Sequence, residues 1–234
     1  MPHIPLIEDL TMGTVPAGSA LLVEFDAASQ WYNASLAIAA GWLRTGGRVS
    51  YYAFAHSPES IRNQLNRLGI KTEELERNGT LEIWDWYTVT LGWKSKEKYS
   101  TDTLKVAELS IHVSRVRMRG PVAPEQLVVA DEVSVLDRFN DEKSWVEYEL
   151  ARSMPAFKDR KMTCMRGVIR DLHSNLVYKR LESVNDGIID FKIETESEEV
   201  VNLIRIRTMR NVGFDSRWHP LRISHENFDV ALEK

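Results

Sequence analysis

The 234-residue sequence has one cysteine, Cys164, so the chain can form neither an internal disulfide nor a zinc site built from several cysteines. It has no apolar run of membrane-spanning length, and its first residues, MPHIPLIEDL, hold no basic segment leading into a long apolar one. The formal net charge of -4 gives no general attraction to nucleic acid or to an anionic membrane. We therefore expect a protein of the reducing cytoplasm, with no membrane partner.

Linkers, internal repeats and low-complexity segments are also missing. Hydrophobic residues make up 43% of the chain and charged residues 27%, which is ordinary for a folded globular domain. A chain of this length can bury a sizeable core without dividing. We expect a single domain over residues 1–234.

Apolar spacing predicts strands and helices that alternate through most of the chain. The predicted helices cover about 29–45, 58–68, 107–118 and 142–157, the last bent or broken near Pro155, with a helical turn at 72–77 and a short helix or loop at 174–184. The predicted strands cover 21–23, 48–54, 80–87, 126–131 and 161–169, then 187–195, 198–210 and 219–230, while 89–102 reads as an exposed loop. This order predicts an α/β fold with a mostly parallel sheet and antiparallel strands at its C-terminal end.

The segment from 18 to 45 reads as a buried strand, a tight turn and a helix, which is the framework of a phosphate-binding loop. A working loop follows G-x-x-x-x-G-K-[ST]: glycines let the backbone approach the phosphates, the lysine contacts them, and the hydroxyl residue binds Mg²⁺. Placed after the strand, the four fixed positions fall on Phe25, Gln30, Trp31 and Tyr32, and none is kept. With Ser29 these residues form a degenerate loop, in which we expect no cofactor and no tightly bound nucleotide.

Three stretches, taken in order, resemble the KaiC family within the RecA/RadA-like ATPases. They are GTVPAGSALLVE at 13–24, SPESIRNQLNRLGI at 57–70, and the closing strands with DGII at 186–189, IRIRTMR at 204–210 and HPLRI at 219–223. Together they span nearly the whole chain. The resemblance implies a RecA-like P-loop fold with a central, mostly parallel sheet.

The resemblance also implies where the functional residues of the family would lie. The phosphate-loop Lys and Thr fall on Trp31 and Tyr32, and the catalytic glutamate pair falls on Ala55 and His56, so the base that would activate water is missing. His56 could act as a base only if a phosphate site existed beside it. We therefore expect that the chain is not an enzyme.

Two other family positions are retained. The family's aspartate after the fourth strand falls on Asp131, which Glu132 follows here. The family also has a Lys and an Arg that reach the nucleotide of a neighbouring subunit. The Lys position holds Thr208, so only the Arg remains, as Arg210. Asp131 and Glu132 form an acidic pair that could hold a metal. Because successive residues of a strand point to opposite faces, we favour a remnant acid that is solvated or bonded to the loop, and we expect no metal site.

Trp31 and Tyr32 allow two interpretations. Their rings fill the former phosphate cavity by packing, or they present a new binding surface. We favour packing.

A basic segment follows in the second half of the chain. In recombinase relatives the loop after the strand predicted here at 161–169 touches DNA. This suggests a nucleic-acid loop made by Arg166, Arg170, Lys179 and Arg180. The alternatives are a solvated basic edge or arginines that face the acids of a neighbouring subunit. Only Tyr178 offers a ring for base stacking nearby.

The leading hypothesis is a catalytically inactive KaiC/RecA-like pseudo-ATPase that acts through protein–protein contacts. It would be a regulatory or scaffold subunit that self-associates or partners an active paralogue. One alternative is a non-hydrolysing recombinase-type paralogue that binds nucleic acid; another is a protein with weak ATP binding or turnover.

Overall fold

The computed structural model describes residues 3–117, 125–196, 199–224, 226–227 and 229–233. Their strands form one twisted sheet. In chain order the strands are β1 (Ala20–Phe25), β2 (Arg48–Ala53), β3 (Leu81–Asp85), β4 (Tyr99–Ser100), β5 (Gln126–Ala130), β6 (Thr163–Ile169), β7 (Gly187–Glu196), β8 (Glu199–Met209), β9 (His219–Ile223) and β10 (Val230–Leu232). The helices are α1 (Trp31–Arg44), α2 (Pro58–Arg67), α3 (Thr72–Arg77), α4 (Tyr87–Thr90), α5 (Val106–Arg117), α6 (Glu142–Tyr148), α7 (Met154–Asp159) and α8 (Asn175–Val184).

The strand order across the sheet is β10-β9-β8-β7-β1-β6-β5-β2-β3-β4. Every pairing from β7 to β4 is parallel. Beyond β7 the pairings β7–β8, β8–β9 and β9–β10 are antiparallel. The predicted α/β fold class, a mostly parallel sheet with antiparallel C-terminal strands, is therefore confirmed.

Strand β1 lies in the centre of the sheet and is buried on both faces. Leu21, Val23 and Phe25 pack with α1 and α2, and Ala20 and Leu22 pack with the cluster that includes residues of α5 to α8. A strand that helices cover on both sides needs a continuous apolar run, which is what the sequence ALLVEF supplies. The C-terminal end of β1 leads directly into the degenerate loop.

Local capping explains where two helices begin. Ser57 accepts a hydrogen bond from the Ser60 N–H at 3.2 Å, and Pro58 occupies the first turn of α2, as the sequence predicts. Asp141 caps α6 by accepting from the Ser144 N–H at 2.9 Å. The predicted helix over 142–157 is not broken at its proline but passes through a π-helical turn, Glu149–Ser153, into α7.

Some predicted boundaries differ from the structure. Strand β3 ends at Asp85 rather than at residue 87, because the chain turns into the short helix α4. The predicted loop over 89–102 contains the two-residue strand β4. Within 174–184, predicted as a short helix or loop, Asn175–Val184 form the helix α8. The predicted ends at Met118 and at residue 198 lie outside the described residues.

The segment before β1 is anchored on the far end of the chain. The buried residues Ile4, Leu6 and Leu10 belong to the core cluster on the α1 face. The Met12 N–H donates to the Gly213 carbonyl at 2.7 Å, and the Asp215 N–H donates to the Leu10 carbonyl at 2.8 Å. Residues 10–12 therefore pair with residues 213–215. None of the helices that the structure describes has the length and apolar character needed to cross a bilayer.

Candidate functional site

The degenerate loop connects the end of β1 to the start of α1. Two backbone hydrogen bonds hold it: the Asp26 N–H donates to the Phe191 carbonyl at 3.0 Å, and the Ser29 N–H donates to the Asp26 backbone carbonyl at 2.8 Å. Asp26 also binds the Arg170 guanidinium at 3.0 Å and the Ile193 N–H at 3.2 Å. Gln30 precedes α1 and makes no side-chain cap. The Ser29 Oγ atom is buried and has no partner among the described residues.

Trp31 is the most deeply buried side chain of the loop. It is 1% exposed, and its indole packs against Phe25 and Phe191, with ring centroids 6.3 and 5.4 Å away. The Nε1–H group donates a 2.6 Å hydrogen bond to the backbone carbonyl of Asp131. The ring therefore packs inside the fold at the position where the family pattern has its lysine, in line with the packing interpretation.

Tyr32 covers the next part of the site. Its ring stacks on the His56 imidazole with centroids 3.5 Å apart and planes 15° from parallel, and its hydroxyl lies 3.3 Å from the Ser60 Oγ atom. Burial raises the pKa of the Tyr32 phenol, which the Ser60 contact opposes and the Asp131 charge reinforces. The stacked rings and the Ser60 contact thus join the first turn of α1 to the first turn of α2.

Asp131 follows β5 and is fully engaged with the loop after β2. One carboxylate oxygen accepts from the Phe54 N–H at 2.7 Å, and both accept from the Ala55 N–H at 3.3 Å. The second oxygen also lies 3.3 Å from the His56 Nδ1 atom. Of the two residues predicted to replace the catalytic glutamates, Ala55 contributes only its backbone amide and His56 a ring that contacts the acid.

Glu132 lies beside this cluster and is partly exposed. The pKa of Glu132 is raised to about 7: burial is the main cause, the neighbouring Asp131 charge also raises it, and His56 lowers it. A carboxyl group of this pKa can exchange protons near neutral pH. In the part of the chain that the structure describes, no group of three His, Cys, Asp or Glu residues is arranged to hold a metal ion.

The four residues of the suggested nucleic-acid loop do not share a surface. Arg166 is 3% exposed, forms an ion pair with Glu149 and donates to the Asn185 side chain at 2.9 Å, so the prediction that it contacts nucleic acid is wrong. Arg166 belongs to β6, whose residues are buried between the two helical layers.

The other three basic residues differ in their surroundings. Arg170 binds Asp26 at 3.0 Å and Asp190 at 3.3 Å, and Arg180 binds Glu147 at 3.1 Å. Lys179 is exposed on α8. Arg210, which the sequence predicts as the inter-subunit arginine, is exposed after β8 and donates to the Ser183 carbonyl at 3.3 Å.

A network of ion pairs beside the loop has no counterpart among the sequence predictions. Glu24 and Asp190 are neighbours on β1 and β7, and both are buried. Arg207 binds Glu24 at 2.6 Å, and Arg205 binds Asp190 at 2.7 Å. Burial raises the pKa of Glu24, although the Arg207 charge opposes this. The sequence signals for this network are the arginines at alternate positions of β8, Arg205 and Arg207, and the acids among the apolar residues of β1 and β7, Glu24 and Asp190.

Comparison with known proteins agrees with this architecture. A family model described as the KaiC ATPase matches residues 36–234. The chain belongs to the KaiC ATPase family. The matched range of this KaiC-family chain begins after Tyr32, so the degenerate loop precedes it.

The fold of this KaiC-family chain is similar to that of a solved structure, a KaiC-like protein from the hyperthermophilic archaeon Pyrococcus horikoshii OT3. The two superpose with a TM-score of 0.74 at 15% sequence identity, over 100% of this chain and 97% of the other. No curated protein matches the chain. At this identity the structural likeness concerns the fold.

Proposed function

We propose that this KaiC-family chain is a pseudo-ATPase that neither binds ATP·Mg²⁺ usefully nor hydrolyses it, and that works through contacts with other protein chains. The hydrogen bond from Trp31 to the Asp131 carbonyl supports this proposal best. It joins the start of α1, where the phosphate-loop lysine is expected, to the residue after β5, where the family's aspartate is expected.

Phosphate binding would need cationic side chains or backbone N–H groups that point at the phosphate held in the loop. The side chain at the lysine position is a buried indole, and its N–H is already used. Arg170, the cation that does contact the loop, is paired with Asp26 and Asp190. Asp131 adds negative charge nearby, and Glu132 adds to it as it ionises around pH 7; both charges would repel a triphosphate.

Mg²⁺ would need free carboxylate oxygens. The oxygens of Asp131 accept hydrogen bonds from Phe54 and Ala55, and a metal ion would have to displace them. A buried carboxylate that organises a loop in this way contributes to the fold and not to metal binding.

Exposed apolar side chains support a role in protein contacts. Trp93 is 69% exposed on the loop after α4, and Leu172 and Leu176 are exposed around the start of α8. Single exposed apolar residues are normal, but tryptophan is among the residue types enriched at the positions that dominate binding energy. A regulatory or scaffold subunit needs surfaces of this kind.

Titration calorimetry with millimolar ATP·Mg²⁺ tests the nucleotide part of the proposal. We expect no saturable heat. A dissociation constant in the micromolar range would contradict it, and phosphate release above that of Trp31→Ala would contradict the absence of hydrolysis. The native mass of the purified protein, alone and in lysate of its source, tests the part concerning partners: a monomer in both would contradict it.

A further inference from the structure

A short basic segment lies on the loop between α4 and β4. Trp93 is 69% exposed, and exposed lysines follow it at alternate positions of the chain, Lys94, Lys96 and Lys98. The residues between the lysines, Ser95 and Glu97, are half-buried. This alternation indicates an extended backbone that turns one row of side chains outward and the other toward the protein. We call residues 93–98 the basic strip.

The inward-facing residues anchor the basic strip on neighbouring elements. The Ser95 hydroxyl donates to the Asp85 carboxylate at the end of β3, at 2.6 Å. The Glu97 carboxylate accepts two hydrogen bonds from Arg62 of α2, at 2.8 and 2.6 Å, and Arg62 also binds Glu76 of α3. Bidentate contacts of this kind fix geometry. The strip therefore presents its outward side chains from a backbone that is already held, so that binding there orders little additional chain.

The outward lysines carry positive charge that no neighbouring acid neutralises. In the part of the chain that the structure describes, none of the three forms an ion pair. Glu97, the acid within the strip, is paired with Arg62. Lys98 lies over the Tyr99 ring, 4.9 Å from its centroid. The strip thus offers a row of positive charges, which an extended chain spaces about 6–7 Å apart.

The basic strip leads into an edge of the sheet. Strand β4 is the last strand in the sheet order and pairs with β3 on one side. An open strand edge can accept an added strand, and exposed lysines often protect such an edge from pairing with another chain. Protection alone would not need the exposed Trp93 indole, an apolar ring that itself favours association. An extended acidic segment would match both features, because its alternate side chains have the same spacing as the lysines.

We propose that the basic strip binds an extended acidic segment of a partner protein, with acids at alternate positions facing Lys94, Lys96 and Lys98 and an apolar side chain on Trp93. The inference rests on the proposed function, because it gives the chemistry of a chain that this protein would contact. Nucleic acid and anionic membrane fit less well. The formal net charge of -4 gives no general attraction to either, and Trp93 is the single ring within the strip for base stacking.

The probe is the capped peptide Glu-Val-Glu-Val-Glu-Phe, followed through the Trp93 indole N–H signal of ¹⁵N-labelled protein, which Trp93→Phe assigns. We expect a saturable shift with a dissociation constant below about 1 mM at low salt, and several-fold weaker binding at about 0.5 M salt. Lys-Val-Lys-Val-Lys-Phe should not bind, and Glu-Glu-Glu-Val-Val-Phe should bind more weakly than the probe. Absence of saturation, insensitivity to salt, or equal binding of either control peptide would overturn the proposal.

Two double variants locate the binding. Lys94→Gln/Lys96→Gln removes two charges from the strip and should weaken binding of the probe about fivefold, as loss of two exposed ion pairs does. Lys143→Gln/Lys179→Gln removes two exposed lysines from α6 and α8 and should leave the dissociation constant within about twofold of wild type. An equal loss in both variants would show that only net charge matters, and would refute the assignment to the strip.

Further measurements separate the other occupants. An oligothymidylate and phosphatidylserine vesicles should each bind more weakly than the probe, and tighter binding of either would overturn the proposal. Sedimentation should give wild type and Lys94→Gln/Lys96→Gln the same mass, because a lower mass for the variant would assign the strip to a second copy of the chain. Failure of the probe to bind, with no heat from ATP·Mg²⁺, would overturn this inference alone. Binding of ATP·Mg²⁺ would instead overturn the proposed function.

Discussion

Gly167 leaves the space that the Trp31 indole fills. A Cβ atom at position 167 would lie 2.3 Å from the Trp31 Nε1 atom and 2.3 Å from the Asp131 carbonyl oxygen that accepts its hydrogen bond. Gly167 lies on β6, directly opposite Val23 of β1. The absence of a side chain on one strand therefore permits the largest side chain at the start of α1.

Replacement of Gly167 by Ala should destabilise the fold by about 1–3 kcal/mol, the cost of overpacking a filled site. Gly13→Ala, where the nearest atom would be 3.5 Å away, is the control and should change stability by less than about 0.5 kcal/mol. In denaturant melts, the double variant Gly167→Ala/Trp31→Leu should lose less free energy of unfolding than the two single variants lose together. Strict additivity would show that the two residues do not share the space.

Trp31→Ala should cost about 3–5 kcal/mol, as truncation of a buried aromatic residue does. The denaturant midpoint should fall with little change in slope. Trp93→Ala removes an equally large but 69% exposed ring and should stay within about 0.5 kcal/mol of wild type. Similar midpoints for the two variants would disprove a packing role for Trp31.

The double variant Trp31→Lys/Tyr32→Thr restores two family positions and should still fail to hydrolyse ATP. Phe25 and Gln30 still occupy the glycine positions, and Ala55 and His56 still provide no glutamate base. Circular dichroism should first establish that the variant is folded. Turnover on the order of 1 s⁻¹ in a phosphate-release assay would show that the remaining losses do not matter.

Arg166→Met should cost about 3–5 kcal/mol, because it leaves the Glu149 carboxylate buried without its partner. The double variant Arg166→Met/Glu149→Leu removes both charges and should recover most of the loss in a urea melt. Lys179→Met, at an exposed position of α8, is the control. An Arg166 variant as stable as this control would contradict the buried ion pair.

Glu132 should make the protein less stable as the pH rises from about 4.5 to 7. The folded state keeps the Glu132 proton up to a pKa of about 7, whereas the ordinary value is 4.5, so the folded state binds more protons across this window. The contribution is fully present below the window and lost above it, with a magnitude of roughly 2–3 kcal/mol.

Urea melts of wild type and Glu132→Gln at pH 5 and pH 8 measure this effect. The stability difference between the two proteins should change with pH by that amount, wild type being relatively less stable at pH 8. Glu59→Gln, on an exposed position of α2, controls for the loss of a charge. A difference that does not vary with pH would contradict the raised pKa.

The fold followed from local patterns in the sequence. The apolar run of β1 and the Ser57–Pro58 start of α2 are short-range signals, which burial and capping explain residue by residue. Strand β4 was missed because two residues, Tyr99 and Ser100, carry no periodicity. It exists because β3 offers an open edge for pairing.

For the candidate site, the sequence predicts losses but gives no signal for the contacts that the structure shows. The unmatched positions at Trp31 and Tyr32 were visible, but the acceptor of the Trp31 hydrogen bond lies 100 residues away. Arg166 did give a signal, because it stands within the buried strand sequence TCMRGVI. An arginine in such a strand needs a buried acid, and only tertiary structure brings Glu149 to it.

The pairing of residues 10–12 with residues 213–215 sets a limit on how the chain folds as it is made. The early segment leaves the ribosome about two hundred residues before its partner strand exists, at a synthesis rate of roughly 5–20 residues per second. The backbone pairing of residues 10–12 therefore has to wait on the order of ten seconds or more for residues 213–215. During that interval this segment lacks its backbone partners, and it gains them only when residues 213–215 have been made.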